Sequence, residues 1–217
     1  MIAPTLLLSL LSQPDAHAQK YEVAVTTAVQ GVRDPRWETV SSAPLHTPGG
    51  LVAGMEVSKG TSIIVGFNTG SSGSKILVPT VDGMDEQGFH LATTLTHYQL
   101  GARYRWKWKK RLVPTTTLSM QLGHATLRMD ENIDNDGEEV ETRNEAMAMG
   151  FEIGGGLEYT VAYLSNEQVR FNVGFEAGYT NLMKLKFKTT DNGPEATSLG
   201  ELNPGGPFLT LSVGTRF

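Results

Sequence analysis

The sequence predicts an all-β chain: eight antiparallel strands running up and down and closed into a transmembrane β-barrel. Three observations carry this. Apolar and polar residues alternate through most of the chain, while the 3.6-residue period of helices is nearly absent. Short and long connections alternate along it, as the two ends of an up-and-down sheet require. The polar side of the alternation is rich in glycine and in charges of both signs, which suits a narrow interior better than a solvated face.

The elements follow in order. Residues 6–11 form a short apolar run, and Ala16-His17-Ala18 is a small-residue cleavage site, so 1–18 is expected to be a secretory leader and 19–217 the barrel domain. The first five residues lack the Lys or Arg that usually opens such a leader. Strands are expected at 21–32, 51–58, 62–70, 89–106, 113–129, 147–163, 169–188 and 207–217. The second sets Leu51, Ala53, Met55 and Val57 against Gly54 and Glu56, and the third sets Ile63, Val65 and Phe67 against Ile64, Gly66 and Asn68. The fourth sets Tyr98, Leu100, Ala102 and Tyr104 against His97, Gln99, Gly101, Arg103 and Arg105. The fifth alternates clearly only over Leu118, Met120 and Leu122. In the sixth, Phe151, Ile153, Leu157 and Tyr159 oppose Glu152, Gly154, Gly156 and Glu158. In the seventh, Phe171, Val173 and Phe175 oppose Arg170, Gly174 and Glu176, and in the eighth Leu209, Leu211 and Val213 oppose Ser212, Gly214 and Arg216.

Alternation alone leaves the facing open. A soluble, lipocalin-like barrel turns its apolar face inward, and a membrane barrel turns it to lipid. The glycines and paired charges favour the second. So do the aromatics Tyr21, Tyr104, Trp106, Tyr159, Tyr163, Phe171 and Phe217, which gather at the short-turn end as one interfacial girdle; Tyr179 and Phe187 are candidates for the opposite one. Backbone groups cannot stay unpaired in lipid, so the last strand must close on the first, bringing Phe217 near Tyr21.

Residues 98–106 and the terminus Leu209-Thr210-Leu211-Ser212-Val213-Gly214-Thr215-Arg216-Phe217 resemble the small bacterial outer-membrane barrels of the OmpA/OmpX/OmpW type. The resemblance implies both termini in the periplasm, short periplasmic turns and long surface loops. It also implies a C-terminal sorting signal at Leu209, Leu211, Val213 and Phe217, read by the barrel-assembly machinery. The acidic third long loop departs from the pattern.

The expected interior set is Glu22, Glu56, Arg103, Arg105, Glu152, Glu158, Arg170, Glu176 and Arg216. A turn centred on Leu164 would set Glu158 opposite Arg170 and Glu152 opposite Glu176, and Arg216 would meet Glu22 across the seam. Such a set is either a plug whose charges swap partners and gate a channel, or a static network filling the core. Elsewhere, residues 130–145 hold eight carboxylates and one Arg, but the EF-hand-like run from Asn132 ends on Arg143 where a bidentate Glu is needed. His124 and Thr126, with Glu131 as the nearest acid in sequence, sketch an outward nucleophile–base pair with Thr in place of Ser. His46 and His90 are isolated rim candidates, and Trp108-Lys109-Lys110-Arg111 is a basic turn.

The absence of cysteine excludes disulfides and thiolate chemistry, and a net charge of −5 leaves no basic footprint for nucleic acid. The expected function is that of a non-enzymatic outer-membrane barrel with a structural or surface-interaction role. It needs no cofactor or metal, contacts outer-membrane lipids, displays four loops to a surface ligand and stays monomeric. The alternatives are a narrow passive channel for small solutes and, more remotely, a lipid A-modifying enzyme.

Overall fold

The computed structural model describes residues 21–37, 41, 45–79, 86–106, 111–132, 140–164, 169–189 and 200–217. The leader assignment, the centre of the acidic loop and most of the basic turn lie outside them. Eight long strands dominate: β1 (Tyr21–Gly31), β2 (Gly49–Ser58), β3 (Thr61–Pro79), β4 (Glu86–Arg105), β5 (Leu112–Asn132), β6 (Val140–Leu164), β7 (Val169–Leu182) and β8 (Gly206–Arg216). Each pairs antiparallel with its neighbour in sequence, and β1 pairs β8 from Glu22↔Arg216 to Gln30↔Phe208, so the barrel is closed. At the seam Tyr21 N donates to Phe217 O at 2.6 Å and Phe217 N to Tyr21 O at 2.9 Å, with the two rings 6.0 Å apart. Closure leaves no edge amides facing lipid.

The facing is that of a membrane barrel. Leu100, Phe175 and Leu211 are 56%, 44% and 52% exposed, whereas the side chains of Arg103 and Glu176 are only 16% and 14% exposed. The lipocalin-like arrangement is thereby overturned.

A spanning strand needs about 9–11 residues. β3 to β6 have 19, 20, 21 and 25, so they run well past the apolar belt. Beyond the belt the polarity inverts while the parity stays. On β4 the outward residues are Tyr104, Ala102, Leu100 and Tyr98 within the belt, then Thr96 and Thr94 above it. The inward residues of the same strand are Arg105, Arg103, Gly101, Gln99 and His97, then Leu95, Thr93 and Leu91. Above the belt water lies outside, so apolar groups turn in. Leu91, Leu95, Ala125, Leu127, Ala146 and Ala148 form a buried core, closed from above by Trp37, Leu185, Phe187 and Leu202. Phe187 therefore belongs to this cap and not to an outer girdle, because the chain leaves β7 at Leu182 and folds inward through the short Leu185–Lys186 and Glu201–Leu202 pair.

At the short-turn end Tyr104, Trp106, Tyr159, Phe171 and Phe217 are exposed as a girdle, and Tyr104 and Trp106 meet edge to face at 4.9 Å. Tyr163 leaves it. A bulge between Thr160 and Ala162 shifts the parity, putting Tyr163 opposite Arg170, whose guanidinium lies 5.7 Å from its ring. Two glycines show why the sequence needs them. Gly60 holds the β2–β3 turn at φ +85°, where a Cβ would also lie 2.9 Å from the Arg105 carbonyl oxygen. A Cβ on inward-facing Gly178 would sit 2.1 Å from the Ile153 carbonyl oxygen and 2.7 Å from the Phe208 ring.

Candidate functional site: the luminal ion-pair network

The inward face of β4 carries the network because it places two arginines one turn of the pleat apart. Arg105 Nε donates to Glu158 Oε2 at 3.0 Å, Nη1 to Ser62 Oγ at 2.9 Å, and Nη2 to Glu22 Oε2. Arg103 Nη1 stands 3.7 Å from Glu22 Oε1, Nη2 donates to Glu176 Oε2 at 3.5 Å, and Nε to Thr117 Oγ1 at 3.4 Å. Two adjacent positions thus tie β1, β3, β5, β6 and β7 to β4 across the lumen. Glu22 takes both guanidiniums and is the centre of the set.

Arg216 is in register with Glu22 across the seam, but its Nη2 donates to Glu56 Oε2. Glu56 Oε1 also accepts the Gly60 amide at 3.0 Å, which fastens the β2–β3 turn to the C-terminal strand. Glu152 accepts from the Thr180 hydroxyl at 2.9 Å.

The hairpin register differs from the one a Leu164-centred turn would produce. Glu158 lies opposite Gly174, Glu176 opposite Gly156, and Glu152 opposite Thr180. Glu158 therefore does not face Arg170, nor Glu152 Glu176. The turn is centred further along and the bulge takes up the remainder. Opposing each glutamate with a glycine, or with a hydroxyl in the case of Glu152, leaves room for guanidiniums to reach from β4. Arg170 stays at the rim beside Tyr163, whose ring Arg111 also approaches at 6.0 Å.

Ser62, Thr117, Thr180, Asn68 and Gln99 also belong to this interior, although no motif marks them. Only their parity, read with the register, finds them. The Thr26 hydroxyl donates to Asn68 Oδ1 at 2.7 Å, and Gln121 Nε2 to Gln99 Oε1 at 3.4 Å. Among the described residues the lumen keeps small cavities of about 50 and 30 Å³. Arg103, Val52 and Ser212 line both. Each has room for a few waters, at roughly 10–15 Å³ apiece.

Above the network His97, Thr93 and Asn144 are buried, each with a side-chain polar atom lacking a protein partner. His46 is not a rim residue. It is 1% exposed, packed edge to face on Trp37 at 5.7 Å, and burial lowers its pKa from 6.5 to about 4. On the outer surface the acid near His124 is Glu145, at 3.8 Å, rather than one chosen by sequence distance. Arg143 holds the same carboxylate at 2.8 Å, and Thr126 is in register with it. That makes an ion-paired carboxylate beside a histidine, without a hydrogen-bonded nucleophile–base pair.

No family model matches the sequence, and no curated protein matches it. Solved structures match the fold. A major outer membrane protein from Thermus thermophilus aligns with a TM-score of 0.54 at 11% identity, over 93% of this chain and 99% of that one. The outer membrane protein OprG from Pseudomonas aeruginosa aligns with a TM-score of 0.50 at 12% identity, over 92% and 96%. The chain has the fold of these outer-membrane barrels, and its exposed apolar belt is the outer face such a barrel turns to lipid.

Proposed function

We propose that this chain is a sealed, non-enzymatic outer-membrane barrel whose role is structural and surface-interactive, performed by the segments beyond the belt at its long-connection end. One observation carries the reading: the lumen is closed twice. Across the belt it is filled by the Arg103–Arg105–Glu22–Glu158–Glu176 network, and above the belt by the apolar core of Leu91, Leu95, Leu127, Leu185, Phe187 and Trp37. A passive solute path would have to breach both, and an ion cannot cross an apolar plug cheaply. Long strands that project beyond the membrane and carry their own core form a stiff pedestal for displayed loops.

The narrow channel is the second reading, favoured only by the two small cavities. Planar-bilayer recording decides between them. The refolded wild-type barrel is expected to insert without unitary current, and stable current steps would overturn the sealed-barrel reading.

Assembly follows the same logic. Leu209, Leu211, Val213 and Phe217 are exposed on the outer face of β8, the strand that closes the barrel. As long as β1 has not docked, that strand presents an unpaired edge with an apolar row, which suits recognition by the barrel-assembly machinery.

A further inference from the structure

At the upper edge of the belt three outward methionines and a histidine come together on β5, β6 and the end of β7. Met147 and Met149 stand two positions apart on β6, so the strand period puts both thioethers on one face. His124 of β5 is in register with Met147. On the other side of β6, Gly150 is in register with Leu182, and the Met183 amide donates to the Met149 carbonyl oxygen at 2.9 Å, so Met183 stands opposite Met149. Directly opposed residues have Cβ atoms about 4.5–5.5 Å apart. Met147, Met149 and Met183 are 68%, 65% and 70% exposed. Elsewhere the belt meets lipid with branched and aromatic side chains, such as Ile63, Val65 and Phe67 on β3 or Leu209, Leu211 and Val213 on β8. Lipid asks only for apolar surface, which those side chains supply. Thioethers gathered against an imidazole offer lone pairs as well. Thioether sulfur and imidazole nitrogen are the donors that suit Cu(I), whereas harder cations take oxygen. Methionine is unbranched, with three rotatable bonds, so neighbouring sulfurs converge on one ion without moving the backbone. A ligating histidine commonly turns its other ring nitrogen to a carboxylate, and Glu145 Oε2 stands 3.8 Å from His124 Nε2, which leaves Nδ1 for a metal. Met149 is level with Tyr98 through Leu122, where the belt ends, so an ion arrives from water without crossing hydrocarbon.

We propose that Met147, Met149, Met183 and His124 bind one soft monovalent cation, of the Cu(I) class, on the outer wall of the barrel at the edge of the belt. The site goes beyond the display role and is independent of whether the lumen conducts.

The test uses the full chain refolded in detergent in chloride-free buffer, with Ag(I) nitrate as a redox-inert stand-in for Cu(I) and native mass spectrometry to count bound ions. The Met147→Leu/Met149→Leu variant keeps the belt apolar and removes two sulfurs. It is expected to weaken Ag(I) binding by roughly tenfold or more, at least the cost of losing a ligand's supporting partner. Met183→Leu and His124→Phe are expected to weaken it in the same direction, and Met55→Leu, on β2 outside the patch, to leave it unchanged. In protein with labelled methionine methyl groups, Ag(I) is expected to shift the resonances of Met147, Met149 and Met183 and not that of Met55. Folding of each variant is checked by the mobility shift of unboiled samples. If the double variant does not fold, Met149→Leu alone and the methyl shifts of the wild type decide. Undiminished Ag(I) binding without the two methionines, or methyl resonances that do not move, overturns the proposal. Zn(II) held as well as Ag(I), and still held after the methionines are replaced, also overturns it, assigning the site to His124 and Glu145. Any of these leaves the sealed-barrel reading standing, since that rests on conductance.

Discussion

Replacing Arg105 with Met removes the cation on which the luminal network converges. The side chain is 5% exposed and serves Glu22, Glu158 and Ser62 together. Methionine keeps much of the volume, so the loss is chiefly electrostatic. Two carboxylates are left in an interior with room for only a few waters, and breaking a buried pair from one side costs about 3–5 kcal/mol. Arg103 Nη1, already 3.7 Å from Glu22 Oε1, can take over part of the load, which puts the expectation at the lower end, about 3 kcal/mol. Urea unfolding in lipid vesicles, followed by the fluorescence of the three tryptophans and by the gel mobility of unboiled samples, reads this directly. The informative companion is the triple variant Arg105→Met/Glu22→Gln/Glu158→Gln. With no charge left unpartnered, it should recover most of the loss, to within roughly 1–2 kcal/mol of wild type. Destabilisation below about 0.5 kcal/mol for Arg105→Met would refute the reasoning, because surface-like substitutions fall in that range. A triple variant weaker than the single would refute it too.

Acid should weaken the cap through His46. Its pKa is lowered to about 4 in the folded chain, so the unfolded chain takes a proton below pH 6.5 that the folded one refuses. Stability is whole above pH 6.5, falls as pH drops from 6.5 towards 4, and the contribution saturates at about 3 kcal/mol below that. His46→Phe should flatten this part of the stability–pH curve in the same urea assay, and superimposable curves would show that His46 is not responsible. The belt's upper limit is testable with one residue: Leu100→Arg, mid-belt, should cost about 2–4 kcal/mol, and Ser71→Arg, outward but above the belt, less than about 0.5. Equal effects at the two positions would mean that the belt does not end near Phe67 and Tyr98.

The lumen shows how far local pattern reaches. That Glu22, Arg103, Arg105, Glu158 and Glu176 share the polar side of their strands follows from a period of two, and needs no knowledge of neighbours. Which of them meet does not follow. A turn centred beyond Leu164 displaces β7 against β6 and replaces the partners of Glu152, Glu158 and Glu176 while leaving their faces intact, and the bulge between Thr160 and Ala162 turns Tyr163 to the other face. Arg105 reaches Glu22 three strands away, a contact set by barrel circumference and side-chain length. The same holds outside, where Glu145 approaches His124 although it stands twenty-one positions further along the chain.

By itself the sequence determined the all-β alternation, the short and long ends, the lipid-facing row of each strand and the closure of the last strand on the first. Each of these is written in residue-by-residue polarity and in the demand that no amide be left unpaired in lipid. That β4 outruns the membrane was legible in its length; only the tertiary structure decided that β3, β5 and β6 do so too, and that one inward face is ionic in the lower half and greasy in the upper. It also decided that Phe187 and Trp37 close the top. The reason is that a side chain's proper direction depends on what lies outside at its height, and height is fixed by strand tilt, register and the folding back of distant segments.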